Sequence, residues 1–205
     1  KYGKLIKLAS CRQDVQFIIG EMIGELNTSH TYIYGGDRKR RSERIGTGML
    51  GADYEIDAAN KLYKFKKIYR TPDWSRGINP PLAQPGLNVK EGDYLLAVNG
   101  EKITSEINVY SYFQNLANQE VLLTVNSTAS MNGARDITVT TLRGEYFLRY
   151  MDWMESNRLK VEEASNGKIG YLHMPDTYNG SAVEFPKYFF AQSQKEGLII
   201  DGRCN

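Results

Sequence analysis

Asn99-Gly100, which follows a β-favouring run, strongly restricts the local structure of this chain. An Asn-Gly pair beside a β-favouring segment is the strongest short-range signal for a type I′ turn, because both central residues must adopt positive φ. The apolar run Tyr94–Val98 precedes the pair, and a turn at Glu91-Gly92-Asp93 precedes that run. The sequence therefore predicts a strand over residues 94–98 that lies between two tight turns.

Residues 42–142, which surround this strand, carry the other strand patterns of a β-rich domain. The pattern from Ile45 to Ile56 alternates loosely, and Lys61 to Thr71 alternates lysines with Leu62, Phe65 and Ile68, as an exposed antiparallel strand would. Residues 107–118 indicate a short helix, and residues 120–127 and 135–142 indicate closing strands. The Pro/Gly-rich segment 72–86 has the length of an excursion that is usually functional or disordered.

Residues 1–41 predict a small helical unit. Its apolar positions recur with the 3.6-residue period of one helix face: Val15, Ile18, Ile19, Met22, Ile23 and Leu26. Ser10 and Gln13 resemble a capping box at the start of this helix. The β-favouring run from His30 to Tyr34 predicts a strand, and the charged run Arg38 to Arg44 is typical of a solvated linker.

The last third of the chain predicts a connecting helix and then a strand–helix–strand unit. Residues 143–165 place an apolar stripe among charges: Phe147, Tyr150, Met151, Met154 and Leu159. Residues 166–205 predict a strand, a helix over 181–194 and a second strand, arranged as a parallel pair. Pro186 fits that helix only in its first turn, because proline cannot donate a backbone hydrogen bond.

The composition excludes several classes of function. A net charge of +2 in 205 residues is too small to indicate binding to nucleic acid or to an anionic membrane. No apolar run approaches the roughly 20 residues that span a bilayer. No signal peptide is visible, but the chain starts without Met, so we leave its targeting open. Cys11 and Cys204, far apart in sequence, indicate free thiols.

Two motifs in the middle of the chain resemble a PDZ domain. They are Gly48 to Tyr54 and the longer Pro85 to Ile103, which contains the Asn-Gly turn, and a helix near 108–116 follows them. In PDZ domains a glycine-rich loop offers backbone N–H groups to the carboxylate of a peptide that adds as a strand. The resemblance implies that Gly48, Met49, Leu50 and Gly51 form this peptide-binding loop.

The flanking segments extend the resemblance to the whole chain. Residues 24–37 and the segments "GKIGYLHMPD" and "EGLIIDGRCN" resemble the core of tricorn-like peptidases, within the group of C-terminal-processing serine peptidases. The resemblance implies an α+β multidomain fold: a helical subdomain at 1–41, a PDZ-like partly open β-barrel at 42–142, a connecting helix at 143–165, and the start of an α/β catalytic subdomain at 166–205.

The family also implies site residues and partners. His30 matches the histidine that acts as general base, Ser29 matches the serine that helps to orient the catalytic group, and Gly180 falls where a backbone N–H stabilises the oxyanion. The nucleophilic serine of the family follows the strand that ends in this chain, so we expect it beyond Asn205 and expect the chain alone to be inactive. Peptides are the expected substrates, no cofactor or metal is expected, and the parent protein is expected to form a homo-oligomer. The family includes cytoplasmic and exported members, so the compartment stays open.

The residues alone leave other interpretations open. A single histidine at a helix end is more often structural than catalytic, and His173, beside Leu172 and Met174, indicates a structural histidine. The two histidines have no metal-ligand spacing. Asp201 and Arg203 indicate an ordinary ion pair at a strand end, although they could also support an active-site turn. The alternative function is a PDZ-type peptide-binding module or inactive homologue without catalysis.

Overall fold

The computed structural model describes residues 1–36, 44–71 and 79–203, and the chain divides into two units, 1–44 and 45–205. Each unit is described by itself. The first unit contains helix α1 (Tyr2–Ile6) and helix α2 (Arg12–Gly24). Its predicted helix is confirmed.

The start of α2 differs from the predicted capping pair. Cys11 is the N-cap, so the residue three positions later is Asp14 and not Gln13. The Asp14 carboxylate accepts the backbone N–H of Ser10 at 2.8 Å and that of Cys11 at 3.2 Å, and the Ser10 hydroxyl at 2.8 Å. A carboxylate satisfies these N–H groups better than an amide, because it is charged and only accepts.

The predicted strand over residues 30–34 is wrong. Residues 31–35 form no strand in the structure. The segment is held instead by a side-chain hydrogen bond, in which Gln16 Nε2 donates to the Gly35 carbonyl at 2.7 Å. β-propensity depends on a paired, half-buried surface, and this segment has none among the described residues.

The second unit is built on a six-stranded antiparallel sheet. Its strands are β1 (Ala52–Asp57), β2 (Leu62–Ile68), β3 (Tyr94–Val98), β4 (Glu101–Lys102), β5 (Glu120–Asn126) and β6 (Arg135–Thr140). The order is β1-β2-β3-β5-β6, with β4 paired to β3. All five residues of β3 are buried, as its central place requires.

The predicted turn after β3 is confirmed. Asn99 and Gly100 have φ of 50° and 82°, and Val98 pairs directly with Glu101 across the turn. The Asn99 side chain also accepts the Leu122 backbone N–H at 2.9 Å, which ties the turn to β5.

Two other predictions in this domain need correction. β2 pairs with a strand on each side and buries Tyr63 and Phe65, which alternate on one face, rather than Leu62. The register with β1 shifts between Asp53 and Tyr54, and this shift brings Ile68, three residues after Phe65, to the buried face as well. Residues 107–118 contain only a 3₁₀ turn, Val109–Phe113. A longer helix is prevented because Asn115 and Asn118 adopt φ of about 60°.

The rest of the unit is helix α3 (Tyr146–Ala164), strand β7 (Ile169–His173), helix α4 (Asn179–Ala191) and strand β8 (Gly197–Asp201). β7 and β8 pair in parallel, as predicted. The buried stripe of α3 is Leu148, Met151 and Met154, whereas the predicted Phe147 and Leu159 are exposed.

Pro186 lies inside α4 and not in its first turn. The helix loses one hydrogen bond at this proline, because proline has no backbone N–H. Packing compensates for the loss. Phe185 stacks on Phe189 with ring centroids 5.0 Å apart, and Tyr188 is buried against α3 and β7 in the second hydrophobic core of the unit.

Candidate active site

Ser29 and His30 lie in an exposed turn just after α2. His30 has φ of 60°, a conformation that non-glycine residues adopt rarely and that clusters at functional sites. Thr28 and Thr31 brace the turn, because their hydroxyls donate to the carbonyls of Leu26 and Thr28, both at 3.1 Å. Within the described residues the His30 ring contacts the ring of Tyr32, edge-on at 6.4 Å, and makes no hydrogen bond. The ring is therefore presented to solvent by a constrained backbone.

The predicted peptide-binding loop, Gly48 to Gly51, is partly engaged by its own chain. The Gly48 N–H donates to the Phe113 carbonyl and the Met49 N–H to the Leu142 carbonyl, both at 2.8 Å. Within the described residues the N–H groups of Leu50 and Gly51 have no acceptor.

Helix α3 covers this end of the loop. Gly51 has φ of +69°, and a Cβ atom there would lie 2.8 Å from Leu148 Cδ1. Leu148 is fully buried and Leu50 is 2% exposed. Leu148 therefore packs closely against Gly51.

Arg149, the next residue of α3, ties the helix to β1. Its Nη1 donates to Asp53 Oδ1 at 2.7 Å and to Tyr69 Oη at 2.8 Å, while its Nη2 donates to Glu145 Oε1 at 2.7 Å. Burial would raise the pKa of Asp53, but the hydrogen bonds from Arg149 and Tyr69 lower it below its usual value. Burial and the bond to Asp53 raise the pKa of Tyr69 to about 12. This network fixes the start of α3 against the PDZ-like domain.

The outer edge of β1 borders a groove. β1 is an end strand of the sheet, and within the described residues it pairs only with β2. A cavity of about 390 Å³ lies between it and the 3₁₀ turn, lined among others by Tyr54, Ile56 and Tyr110. The rings of Tyr54 and Tyr110 meet edge-to-face at 6.0 Å across this groove. An unpaired strand edge beside an aromatic groove can accept an extended peptide as an added strand.

Gly180, the predicted oxyanion donor, lies in the first turn of α4. Its N–H donates to Asp176 Oδ2 at 3.1 Å, and the same carboxylate accepts the N–H groups of Tyr178 at 2.8 Å and Ser181 at 3.1 Å. These backbone bonds, that of Ser181 first, lower the pKa of Asp176. Asp176 thus occupies the anion-binding position of this helix end, a role that the sequence pattern did not indicate.

Asp201 and Arg203 form the expected ion pair after β8. Arg203 Nη2 lies 2.5 Å from Asp201 Oδ2, and Tyr171 Oη donates to the same oxygen at 2.7 Å. The hydrogen bonds from Arg203, and then that from Tyr171, hold the pKa of Asp201 well below its usual range although burial acts against them.

Residues 1–36, 44–71 and 79–203 contain neither a metal centre nor a membrane-spanning helix. No group of three His, Cys, Asp or Glu side chains there is placed to hold a metal ion. No helix in the same residues has both the length and the apolar character needed to cross a bilayer. Cys11 is an exposed free cysteine, whereas Cys204 lies outside the described residues.

Residues 48–144 match the family model of the tricorn protease PDZ domain. The whole chain is 39% identical to a protein of Sulfurisphaera tokodaii named as a tricorn-like protease C-terminal subunit, and 36% identical to a tricorn protease homolog of Saccharolobus solfataricus. This chain is related to the tricorn proteases over its whole length. The resemblance that the motifs indicated is thereby confirmed.

The tricorn relation holds in three dimensions as well. The crystal structure of the tricorn protease matches 99% of this chain with a TM-score of 0.78 at 28% identity, and this confirms the predicted fold class. The tricorn protease of Thermoplasma acidophilum is 30% identical over the whole chain. The chain spans 23%, 18% and 19% of the length of the three curated relatives named here.

Proposed function

We propose that this chain belongs to a tricorn-type serine peptidase that degrades peptides, and that it supplies the histidine base and a PDZ-like domain. The observation that carries the proposal is the relation to tricorn proteases, in sequence and in fold, over the whole chain. We also propose that the parent protein assembles as a homo-oligomer.

In this proposal His30 is the general base. A serine hydroxyl is a weak nucleophile at neutral pH and needs a base within hydrogen-bond reach, for which histidine is suited. The exposure of His30 and its constrained backbone support the role, because the ring is accessible and its direction is limited. Ser29, adjacent to it, is proposed to orient the catalytic group.

The nucleophile is proposed to come from sequence beyond Asn205, and the oxyanion donor is proposed to be the Gly180 N–H. A backbone N–H in the first turn of a helix suits developing negative charge. In the present geometry this N–H donates to Asp176, so the proposed role requires that the N–H exchange that carboxylate for the oxyanion.

The test is peptide hydrolysis by the longer protein that carries this chain. His30→Ala should reduce kcat by about 10²–10⁴-fold, because general base catalysis contributes that much. Tyr34→Phe is the matched control: the residue is 81% exposed, and the variant should keep the wild-type rate. A His30→Ala enzyme as active as the wild type would refute the assignment.

The alternative is a peptide-binding module without catalysis. Three observations favour it: an edge of β1 that has no partner strand among the described residues, the aromatic groove beside β1, and the N–H groups of Leu50 and Gly51, for which those residues supply no acceptor. Titration of a labelled peptide with a free C-terminus, against its amidated form, tests carboxylate capture. Equal affinity for the two forms would count against the loop, and binding without hydrolysis by the longer protein would favour the module.

A further inference from the structure

The structure contains a buried histidine that the proposed chemistry does not use. His173 ends β7, pairs with Asp201 at the end of β8, and is 3% exposed. Both of its ring nitrogens have partners: Nε2 lies 2.7 Å from the Arg203 carbonyl oxygen, and Nδ1 lies 2.9 Å from Tyr150 Oη. The ring therefore joins helix α3 to the backbone that follows β8.

These partners fix the tautomer of His173. A carbonyl oxygen only accepts, so Nε2 carries the hydrogen and donates it to Arg203. When the ring is neutral, Nδ1 accepts from the Tyr150 hydroxyl. Burial raises the pKa of Tyr150 to about 12, so that hydroxyl keeps its proton.

The orientation of the ring is fixed as well. The ring of Trp153 lies edge-to-face with it at 4.9 Å, and the ring of Tyr150 at 5.4 Å. Because α3 supplies both aromatic rings and the hydroxyl, the ring of His173 has little freedom to follow a moving backbone. The Arg203 carbonyl is consequently held by a rigid donor.

The same short turn is held at a second point. Asp201 Oδ1 accepts the Arg203 backbone N–H at 3.0 Å, and the Arg203 guanidinium binds the carboxylate. Asp201 thus fixes the N–H side of residue 203, and His173 fixes its carbonyl side. Together they set the direction in which the backbone leaves the carboxyl end of a parallel strand, the edge where α/β sheets build their sites.

We propose that His173 is a positioning residue, which directs the backbone after β8 and so sets the direction in which the nucleophile-bearing segment begins. This inference rests on the proposed function, because it assumes that the segment carries the nucleophile. His173 itself contacts neither substrate nor nucleophile. Tyr150 acts with it by contacting the other ring nitrogen, Nδ1, and so holding the ring in place.

Two substitutions of His173 separate positioning from packing. His173→Gln places an amide N–H near the position of Nε2 and keeps a donor for the Arg203 carbonyl. His173→Asn places its amide near Nδ1 and keeps the Tyr150 contact but loses the donor. Both bury one amide, so similar losses of stability are expected.

In the longer protein, His173→Asn should lower kcat by about 10²-fold with KM unchanged, because misplacement of a reacting group by about 1 Å costs that much. His173→Gln should stay close to the wild-type kcat. Tyr150→Phe, like His173→Gln, loses the bond at Nδ1 but keeps the donor to the Arg203 carbonyl, so it should also stay close to the wild-type kcat. Tyr146→Phe, at a residue 81% exposed, is the surface control and should match the wild type. Equal kcat values for the Asn and Gln variants would overturn the proposal.

Hydrogen exchange in the 205-residue chain distinguishes the failure of this inference from failure of the proposed function. His173→Asn should speed exchange of the Arg203 N–H and leave the β7 amides unchanged, and His173→Gln should change neither. If the longer wild-type protein does not hydrolyse peptides, the proposed function fails, while the exchange comparison still decides whether His173 holds the turn. Equal exchange at Arg203 in the two variants would refute the positioning role.

Discussion

The contact between Gly51 and Leu148 gives the sharpest test of how α3 covers the predicted peptide-binding loop. Gly51→Ala should destabilise the second unit for two separate reasons. An L-residue at φ of +69° costs about 1–2 kcal/mol. The new Cβ would also lie 2.8 Å from Leu148 Cδ1, and such overpacking costs about 1–3 kcal/mol more.

A double-mutant cycle separates these two costs. Leu148→Ala alone should cost about 2–5 kcal/mol, because it opens a cavity at a fully buried position. In the Leu148→Ala background the clash disappears, so Gly51→Ala should cost only the backbone strain, about 1–2 kcal/mol. The double variant should therefore be more stable than the sum of the single changes predicts, by about 1–3 kcal/mol.

Gly86 supplies the matched control. It has φ of +87°, and a Cβ there would meet no atom within 4 Å. Gly86→Ala should thus show the strain alone and should add independently to Leu148→Ala. The five variants are the three single changes and the two double changes that contain Leu148→Ala. Urea unfolding of the 205-residue chain measures the free energy of unfolding of each. Hydrogen exchange at the β3 and β5 amides reports the stability of the second unit separately. If the loss of stability in the Gly51→Ala/Leu148→Ala double variant equals the sum of the two single losses within about 0.5 kcal/mol, α3 does not pack on the loop as described.

Two further predictions concern the turns that frame the sheets. Asn99→Ala should destabilise the second unit by about 1–2 kcal/mol more than Asn115→Ala in urea unfolding, because both residues have positive φ but only Asn99 accepts the Leu122 N–H; equal losses would contradict the role of that bond. The pKa of Asp201 is lowered in the folded state, chiefly by the hydrogen bond from Arg203. The ionised Asp201 side chain therefore stabilises the fold at pH values above its ordinary pKa of about 4, and this stabilisation is lost as the pH falls toward its lowered pKa in the folded state. Asp201→Asn should therefore flatten the acid side of the stability-against-pH curve, and an unchanged curve would argue against the ion pair.

The sequence predicted features whose cause is local. The Asn99-Gly100 turn, the period of α2 and the strand–helix–strand order of residues 168–201 depend on neighbouring residues, and the structure contains all three. The family resemblance was also available, because its motifs are short, separated and ordered along the chain. The positions of Ser29, His30 and Gly180 in the site stay predictions.

Where packing competes with local preference, the sequence predictions were wrong. Residues 31–35 favour strand but have no pairing partner among the described residues, and α4 continues through Pro186 because its aromatic residues stack and pack. Near residues 107–118 the apolar pattern fits a helix, but positive φ at Asn115 and Asn118 limits it to a 3₁₀ turn.

The sequence by itself determined the family, the turn at 99–100 and the kinds of elements in each segment, because these depend on short-range geometry and on motif order. Only the tertiary structure decided that Leu148 covers Gly51, that Asp176 occupies the Gly180 N–H, and that His173 holds the Arg203 carbonyl. The physical reason is that hydrogen bonds and close contacts depend on distances between atoms, and residues far apart in sequence, such as Tyr150 and Arg203, meet at His173 only after the elements have packed.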